Sequence, residues 1–448
     1  MIDRWLVDGR EVAVVGLGRS GVAATRLLRS RGVPVYASDA DPGGDAATLD
    51  QLRASGASIA TGGHDLARIA KAQVVVVSPG VPPEAPPLQA ASRAGVPVVA
   101  EAGLGLAELP GTRTICITGT NGTTTTTALT GHLLAAVGKR AETAGNIGRP
   151  VSEVALERPA PDWLVVELSS FQLHDMPQLH PTIGALTNLA PDHLDRYARL
   201  EDYYADKARL FRNAGPGSVW IVNGDDGAVR DMVRGVAGTV LRFSLAGRAD
   251  AWFDRAAGML MLHDAPVLPR GDLALLGDHN VANALVAALA TAQAGGDLGR
   301  IGAGLRTFRA LPHRMEPVRE VGGVLWINDS KATNVASTDV AVRAMTRPFV
   351  LLLGGRHKGE PYTRLAEGFG GRCRGVVAYG EAGELVERDL RDRVDVVRGG
   401  DFADVLAKAR ALSRPGDAVL LSPACSSYDM FKNYEERGAR FRAAVEGM

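Results

Sequence analysis

The chain has 448 residues, of which 46% are hydrophobic, and its 50 Lys and Arg residues balance its 50 Asp and Glu residues. This length predicts about three domains, and the balanced charge excludes a general attraction to nucleic acid, so a bound phosphate needs a local site. The scattered Cys116, Cys373 and Cys425 exclude a disulfide framework and a structural zinc site.

A glycine-rich turn lies near the start of the chain. It runs from Gly16 to Gly21 with the spacing Gly-x-Gly-x-x-Gly, after an apolar strand at 11–15 and before a helical pattern. Such glycines let the backbone approach a pyrophosphate at a helix N-terminus. Asp39, after a second strand at 33–37, is placed to bind a ribose. The pattern predicts a nucleotide site.

The third strand of this block is predicted at 72–77, and a polar turn at 78–82 follows it. Ligands of open α/β sheets bind at the carboxyl ends of strands, so this turn is expected beside the nucleotide. The β-α-β pattern alone does not choose between uridine, adenine and flavin nucleotides. We place the end of this first domain, 1–101, where the chain enters another glycine-rich segment.

A phosphate loop opens the second domain, which we expect to span 102–310. A β-branched strand at 114–118 leads into the loop at 119–124 and then into a helical pattern. Backbone N–H groups at such a helix start favour an anion, and the Thr124 hydroxyl is placed to bind a metal. The usual loop lysine is Thr123 here, so threonine capping of a helix without a ligand is the alternative.

Buried strands alternate with helical patterns through the rest of this domain. The strands are predicted at 163–166, 183–187 and 218–222, and a helix at 280–294 closes the domain. This alternation predicts a parallel sheet covered on both faces.

Three charged residues of this domain are candidates for catalysis. Glu167 ends a strand beside the phosphate loop and is a candidate Mg²⁺ ligand, although a strand-end Glu facing water fits equally well. His193 is flanked by acids after another strand, at the same edge of the sheet. Lys207 lies on an amphipathic helical pattern, where a surface lysine is the default interpretation.

A third α/β domain is predicted at 311–448. Its strands are expected at 324–327, 349–353, 375–379 and 418–421, and polar loops follow three of them at 328–334, 353–359 and 421–428. Cations and hydroxyls at several strand ends of one sheet favour a site for an anionic small molecule. No signal peptide and no apolar run of ~20 residues is present, so we expect a cytoplasmic protein without membrane insertion.

Several motifs, in this order and spacing, carry a resemblance to a known family. They are Thr118-Gly119-Thr120-Asn121-Gly122, Gly145-Asn146-Ile147-Gly148, Glu167-Leu168-Ser169-Ser170-Phe171-Gln172, Asn223-x-Asp225-Asp226, His279-Asn280-x-x-Asn283, Leu311-Pro312-His313-Arg314, the segment 328–334 and Ser422-Pro423-Ala424-Cys425. Over essentially the whole chain these motifs resemble the Mur ligases of peptidoglycan synthesis. Within that family they are most similar to the members that add D-glutamate to UDP-N-acetylmuramoyl-L-alanine.

The resemblance implies an ATP-dependent amide ligase that acts through an acyl phosphate. The implied architecture is an N-terminal Rossmann-like UDP-binding domain, a central P-loop-type ATPase domain with a parallel sheet, and a C-terminal Rossmann-like domain. The implied ligands are ATP, two Mg²⁺ ions, UDP-N-acetylmuramoyl-L-alanine and D-glutamate, and a monomer that binds no nucleic acid is expected. The chemistry is consistent, because a carboxylate is a poor electrophile until phosphorylation supplies a leaving group.

Site residues are implied by the matched positions. Catalytic roles are implied for Glu167, His193, Lys207 and Arg314, and a metal site for Thr124, Glu167, His193 and Lys207, with Lys207 carbamylated. ATP contacts are implied for Gly119, Thr120, Asn121, Gly122, Thr123, Thr124, Asn283, Arg314 and Asp329. UDP-substrate contacts are implied for Gly18, Arg19, Ser20, Asp39, Ser78, Gly80, Asn146, Gln172 and His193. The carboxylates of D-glutamate are implied to bind Lys331, Thr333, Lys358, Ser427 and Tyr434.

Two positions depart from the family pattern. Thr123 replaces the loop lysine, and Ala40-Asp41 follows Asp39 where close relatives have Thr-Arg. We hypothesise that backbone amides, two Mg²⁺ ions and Arg314 suffice for ATP binding. The phosphate contact of the uridine loop is either lost or supplied by Arg19. The alternative is that Thr123 leaves the chain nearly inactive.

Other functions stay open at this point. A sister ligase would add L-alanine, a diamino acid or a dipeptide, or glutamate to folate, although Lys331 and Lys358 favour a dicarboxylic amino acid. A nicotinamide-dependent oxidoreductase would use the turn at 16–21 but leaves the later motifs unexplained. A non-catalytic nucleotide-sugar binder would account for Thr123.

Overall fold

The computed structural model describes residues 9–146, 148–193 and 196–448. In these ranges the strands, β1 to β20 in chain order, are Val12–Val15, Val35–Asp39, Ser58–Thr61, Val75–Val77, Val98–Ala100, Arg113–Thr118, Ala141–Gly145, Trp163–Glu167, Ile183–Leu186, Val219–Asn223, Thr239–Ser244, Ala251–Asp254, Met259–Leu262, Ala265–Pro269, Glu316–Val321, Val324–Asn328, Phe349–Gly354, Cys373–Tyr379, Val396–Arg398 and Ala418–Leu421. The α-helices, α1 to α17, are Arg19–Ser30, Ala46–Ala54, Leu66–Ile69, Pro86–Arg93, Glu101–Ala107, Thr123–Ala136, Val151–Ala155, Ser170–His174, Leu200–Ala208, Gly227–Met232, Asp278–Gln293, Leu298–Thr307, Val335–Ala344, Leu365–Phe369, Gly383–Leu390, Phe402–Leu412 and Tyr434–Glu446.

The chain forms two compact units. One combines the chain up to Arg270 with Ala282–Arg306, and the other combines Gly271–Val281 with Thr307–Met448. In the described residues the first unit carries two sheets and the second carries one. The predicted α/β class with three sheet-containing domains is therefore confirmed, while the predicted limits 1–101, 102–310 and 311–448 stay a prediction. Every helix in the described ranges is too short or too polar to cross a bilayer.

The N-terminal sheet of the first unit places two predicted ligand residues and the first glycine of the glycine-rich turn on one edge. Its strand order is β3-β2-β1-β4-β5, and all neighbours are parallel. Strands β1 and β4 are buried at every position, as expected for a parallel sheet covered on both faces. Because β2, β1 and β4 are neighbours, Asp39, Gly16 and Ser78 lie at adjacent carboxyl ends.

The central sheet of the first unit has the order β14-β13-β12-β11-β10-β9-β6-β8-β7. Strands β6 and β8 are parallel neighbours, so the phosphate loop after β6 lies beside Glu167 at the end of β8. The predicted parallel pairing is confirmed from β7 to β12, and two antiparallel pairs that were not predicted, β12–β13 and β13–β14, extend the sheet at one edge. The reason is local: Asp254 Oδ1 accepts the N–H groups of Ala256 and Ala257, each at 3.0 Å, and closes a tight turn after β12.

The sheet of the second unit has the order β15-β16-β20-β17-β18-β19. Ile327 and Leu351 belong to one apolar cluster, whereas Trp326, Val350 and Leu352 belong to another, as expected when side chains alternate between the two faces. Strands β16, β20 and β17 are parallel neighbours. The three polar loops predicted after them therefore share one edge. The antiparallel edge strand β15 was not predicted.

Candidate functional site

The loop between β6 and α6 is held in a conformation suited to an anion. Gly119 and Gly122 adopt φ angles of +152° and +81°, and a Cβ at Gly119 would lie 1.9 Å from Thr187 Oγ1. Asn188 fixes the loop, because its Oδ1 accepts the Asn121 N–H at 2.9 Å and its Nδ2 donates to the Asn121 carbonyl at 2.9 Å. Both glycines are therefore required, and the Asn188 side chain fixes the backbone that leads into the start of α6.

Two threonine hydroxyls meet the Glu167 carboxylate beside this loop. Thr123 Oγ1 donates to Glu167 Oε1 at 2.7 Å, and Thr124 Oγ1 lies 3.1 Å from Oε1 and 3.2 Å from Oε2. Glu167 is buried, and its carbonyl accepts the Asn146 N–H at 2.9 Å. Hydroxyl and carboxylate oxygens are ligands that Mg²⁺ prefers. Thr123 thus contributes a neutral hydrogen bond at the position where a phosphate loop of the general form carries a lysine.

Thr120 and Asn283, two other predicted ATP residues, also border the loop. Thr120 Oγ1 lies 3.2 Å from the Tyr203 hydroxyl. Asn283 Oδ1, on α11, accepts from Thr126 Oγ1 at 3.2 Å and would lie 2.3 Å from a Cβ at Gly122. In the first unit, the predicted ATP residues are therefore gathered around one loop.

Lys207 is buried, and the default interpretation as a surface lysine is wrong. The residue is 2% exposed, and its Nζ donates to the Gly119 carbonyl at 2.7 Å and lies 4.8 Å from the centroid of the Tyr203 ring. Burial lowers the pKa of the amine to about 8, against the opposing charges of Asp192 and Glu167. A larger share of this amine is therefore neutral and nucleophilic near neutral pH than for an exposed lysine.

His193 lies in a loop with left-handed backbone geometry. Its φ is +54°, and its N–H donates to Asp192 Oδ1 at 2.9 Å. The imidazole is 43% exposed and meets the Phe171 ring edge-on, with 5.2 Å between centroids. Leu194 and Asp195, which follow it in the predicted acid-flanked cluster, lie outside the described residues.

The glycine-rich turn of the N-terminal sheet is closely packed. A Cβ on Gly21 would lie 1.7 Å from the Gly16 carbonyl oxygen, which also accepts from Ser78 Oγ at 3.0 Å. Asp39 Oδ2 accepts the Leu17 N–H at 2.6 Å. Of the other predicted UDP residues of this domain, Gly18 and Gly80 lie in the turns after β1 and β4, and Arg19 and Ser20 begin α1.

A cavity of about 430 Å³ lies beside this edge, inside the first unit. Ser78 and Gln172 both line it, and part of its wall is a stacked pair of rings, Phe171 and Tyr197, with centroids 5.4 Å apart. Gln172 is buried, and its Nε2 has no hydrogen-bond partner among the described side chains and backbone. Such a donor is suited to a polar ligand.

In the second unit, Asp329 is buried directly after β16. Ser422 Oγ donates to its Oδ2 at 2.7 Å, and the Met315 N–H donates to its Oδ1 at 3.1 Å. Burial raises the pKa of this carboxyl to about 7, and the two hydrogen bonds and the Arg314 charge oppose the rise. The two predicted ATP residues of this unit therefore interact electrostatically.

The loops after β16, β17 and β20 are linked by backbone hydrogen bonds. The Ala424 N–H donates to the Ala332 carbonyl at 3.0 Å, and the Arg356 N–H donates to the Ser426 carbonyl at 2.8 Å. These loops carry four of the five predicted D-glutamate residues, Lys331, Thr333, Lys358 and Ser427, and the Lys331 ammonium lies 5.5 Å from the ring centroid of the fifth, Tyr434. The structure brings the loops together, while D-glutamate binding stays a prediction.

Buried residues that were not predicted from the sequence also hold these loops. Arg437 is fully buried and donates to Ser330 Oγ at 2.9 Å and to the Cys425 carbonyl at 3.2 Å. The Tyr362 hydroxyl lies 2.9 Å from Cys425 Sγ and 3.0 Å from His357 Nδ1. Neither residue stands in a motif, so spacing carried no signal for them.

Three family models match the chain consecutively. They are the Mur ligase MurD-like N-terminal domain over residues 10–100, the Mur ligase middle domain over 117–291 and the Mur ligase glutamate ligase domain over 313–425. The chain is 43% identical to the UDP-N-acetylmuramoylalanine--D-glutamate ligase of Myxococcus xanthus over 99% of both chains. It is 42% identical to the protein of the same name from Anaeromyxobacter dehalogenans over 97% of both chains.

Solved structures share the fold at lower identity. A UDP-N-acetylmuramate-alanine ligase from Thermotoga maritima matches with a TM-score of 0.62 at 19% identity, over 98% of this chain and 99% of that one. A pseudomurein peptide ligase type C from Methanothermus fervidus matches with a TM-score of 0.61 at 19% identity, over 97% of this chain and all of that one. Full-length identity to named relatives and three consecutive domain matches show that the chain belongs to the Mur ligase family.

Proposed function

We propose that this chain is an ATP-dependent ligase that joins D-glutamate to UDP-N-acetylmuramoyl-L-alanine in peptidoglycan precursor synthesis. The observation that carries the proposal is its 43% identity, over 99% of both chains, to a relative named for this reaction. The phosphate loop, Glu167 and the linked loops of the second unit supply groups that such a reaction needs. The enzyme is expected to act as a monomer in the cytoplasm.

The reaction needs a carboxylate to become an electrophile. In the proposed sequence, the alanine carboxylate attacks the γ-phosphorus of ATP, and ADP leaves as an acyl phosphate forms. The amine of D-glutamate then attacks the acyl carbon, phosphate leaves, and the amine loses a proton. The N–H groups at the start of α6 stabilise the charge on the phosphates.

The oxygen atoms of Thr124 and Glu167 fit a Mg²⁺ ion, since both are hard donors held within 3.2 Å of each other. When bound, Mg²⁺ neutralises charge on the transferring phosphoryl group. His193 and Lys207 are proposed for a second ion. The described residues contain no group of three His, Cys, Asp or Glu side chains suited to a metal, so an additional acid is needed.

We propose that carbamylation of Lys207 supplies that acid. Its neutral amine attacks CO₂ and loses one proton, and the resulting carbamate carries a carboxylate in place of the ammonium. Burial, which lowers the pKa of the amine to about 8, favours the neutral form that this reaction requires.

The substrates are proposed to occupy the two units as the motifs suggest. Gly18, Arg19, Ser20, Asp39, Ser78, Gly80, Asn146, Gln172 and His193 would bind the UDP-sugar, and Gln172 offers the unpartnered Nε2 beside the cavity. Lys331, Thr333, Lys358, Ser427 and Tyr434 would bind D-glutamate. Asn283, Arg314 and Asp329 would contact ATP together with the phosphate loop.

Phosphate release from Mg²⁺-ATP tests the proposal. The wild-type chain and Thr123→Lys are assayed with UDP-N-acetylmuramoyl-L-alanine and, in turn, D-glutamate, L-glutamate, L-alanine and a diamino acid. We expect release with D-glutamate alone in both proteins. We also expect the KM for ATP to fall about tenfold in Thr123→Lys, since one charge-assisted hydrogen bond to a phosphate contributes roughly 1.5 kcal/mol.

The other outcomes separate the alternatives. Release that requires Thr123→Lys would assign the inactivity to Thr123 and leave the substrate assignment intact. Release with another amino acid would indicate a sister ligase. No release from either protein with any amino acid would favour a nucleotide-sugar binder, in which the Thr123 hydroxyl, rather than a metal, satisfies Glu167.

A further inference from the structure

Asp206 is a buried carboxylate next to Lys207, one position earlier on α9. The residue is 7% exposed. His174 Nδ1 lies 2.8 Å from its Oδ1, and Arg209 Nε lies 2.8 Å from the same atom. The Tyr197 hydroxyl donates to its Oδ2 at 3.0 Å. Both carboxylate oxygens are therefore engaged by groups from three different segments.

Each of these segments is close in sequence to a residue that the proposed function assigns as a metal ligand. His174 ends α8, the helix that begins shortly after Glu167. Tyr197 belongs to the segment that follows His193, and Asp206 shares α9 with Lys207. A single carboxylate thus links the three backbones that carry the three proposed metal ligands.

Additional contacts reinforce this link. Arg209 Nη1 donates to the His174 carbonyl at 3.1 Å, so α8 and the end of α9 are joined twice. The Tyr197 ring stacks on Phe171 at 5.4 Å and 10°, and the same Phe171 ring meets the imidazole of His193 at 5.2 Å. Tyr197 therefore positions the His193 loop through both its hydroxyl and its ring.

We propose that Asp206 is a positioning residue that sets the spacing of Glu167, His193 and Lys207 by holding α8, Tyr197 and α9 together, since the Tyr197 N–H also donates to the His193 carbonyl at 3.0 Å. The proposal rests on the proposed function in one respect, namely that these three residues bind a divalent cation. Asp206 itself is directed to His174, Arg209 and Tyr197, so it acts through the proposed ligands and does not replace them. Groups that orient metal ligands typically change metal affinity about 10–100-fold when they are removed.

The test uses Asp206→Asn in the full chain, with Asp202→Asn as the matched control. Asp202 lies one helical turn earlier on α9, and its carboxylate pairs with the exposed Arg199 at 2.7 Å. Both variants remove one negative charge with the same change of shape. Mn²⁺ binding is followed by the loss of the free-ion EPR signal in the presence of ADP, and Mg²⁺ dependence by phosphate release.

We expect Asp206→Asn to weaken Mn²⁺ binding about tenfold and to raise the Mg²⁺ concentration for half-maximal activity by a similar factor. Asp202 also lines the cavity described above, and Asp202→Asn is expected to change Mn²⁺ binding by less than about twofold. If Asp206→Asn is not folded by circular dichroism, Tyr197→Phe provides the second test. It keeps the stacked ring, removes one hydrogen bond, and is expected to weaken Mn²⁺ binding about threefold, in line with roughly 0.7 kcal/mol.

Equal Mn²⁺ affinity in the wild type and in a folded Asp206→Asn chain would overturn the proposal, whatever the activity. Absence of Mn²⁺ binding to the wild type would also overturn it, because no metal site would exist to be positioned. A wild type that binds Mn²⁺ but never releases phosphate with D-glutamate would contradict the proposed function alone. The Mn²⁺ titration would then still decide the role of Asp206.

Discussion

Replacing Asp329 by Asn should stabilise the protein at alkaline pH while weakening ATP binding. Asp329 is 7% exposed in the second unit, and burial raises the pKa of its carboxyl to about 7. The unfolded chain has an Asp pKa of about 3.9. Between these values the unfolded chain is ionised while the folded chain holds a proton, so the folded state loses stability as pH rises.

The magnitude follows from the difference between the two pKa values. At a pH above both pKa values, the difference of about 3 pKa units lowers the free energy of unfolding by roughly 4 kcal/mol. At pH 5, about 1 unit above the pKa of the unfolded chain, it is lowered by roughly 1.5 kcal/mol. Asn remains neutral at both pH values. The benefit of Asp329→Asn should therefore be about 2.5 kcal/mol larger at pH 8 than at pH 5. Any change in the hydrogen bonds from Ser422 and Met315 is independent of pH and cancels in this difference.

Urea unfolding of both proteins at pH 5 and pH 8 measures the effect, and ATP binding is titrated at pH 8. We expect the difference in unfolding free energy to grow with pH while ATP affinity falls. A difference that is the same at both pH values, within about 0.5 kcal/mol, would show that Asp329 does not titrate near 7 and would refute the reasoning. Unchanged ATP affinity would remove Asp329 from the proposed nucleotide site.

Two further substitutions test the packing of the proposed ligand loops. Gly21→Ala is expected to lower the free energy of unfolding by about 2–3 kcal/mol and to weaken UDP binding, because the new Cβ would lie 1.7 Å from a carbonyl oxygen. Gly18→Ala is the control for packing, since its Cβ would meet nothing within 4 Å. Equal melting temperatures of the two variants in thermal unfolding would contradict this prediction. Tyr362→Phe is expected to lower the free energy of unfolding by about 1 kcal/mol, because it removes the contact between the Tyr362 hydroxyl and Cys425 Sγ. Since Cys425 lies in the loop after β20, the KM for D-glutamate should rise while the KM for ATP stays the same. Tyr379→Phe is the control, because the Tyr379 hydroxyl has no hydrogen-bond partner in the described part of the chain. Equal KM values for D-glutamate in the two variants would refute the role of Tyr362.

The features that were predictable from the sequence are those in which a local pattern determines the backbone. The glycines of the phosphate loop occupy left-handed or sterically closed positions that other residues tolerate poorly, so their spacing indicates the turn directly. Parallel strands buried on both faces produce continuous apolar runs such as Val75–Val77. Since the carboxyl ends of such strands share an edge, the proximity of Glu167 to the phosphate loop was also predictable.

The antiparallel extension of the central sheet was missed for a physical reason. Strand β13, Met259–Leu262, alternates between partly and fully buried positions, and so does β12 before it. These strands are short, and their pairing depends on a turn made by one Asp side chain. A four-residue alternating pattern carries little information until its partner strand is known.

Asp206 and Lys207 show why burial of charged residues was the least predictable property. Both belong to one helix with a mixture of charged and apolar residues, in which charged positions are normally assigned to the solvated face. They are buried because each finds partners far away in sequence: His174 for Asp206, and the Gly119 carbonyl for Lys207. A buried charge is tolerated when hydrogen bonds replace water, and those partners become known when the chain is folded. Helix α9 thus directs Lys207 toward the phosphate loop and Asp206 toward His174 and Tyr197. The same contacts that bury Asp206 place it beside the segments that carry the three proposed metal ligands.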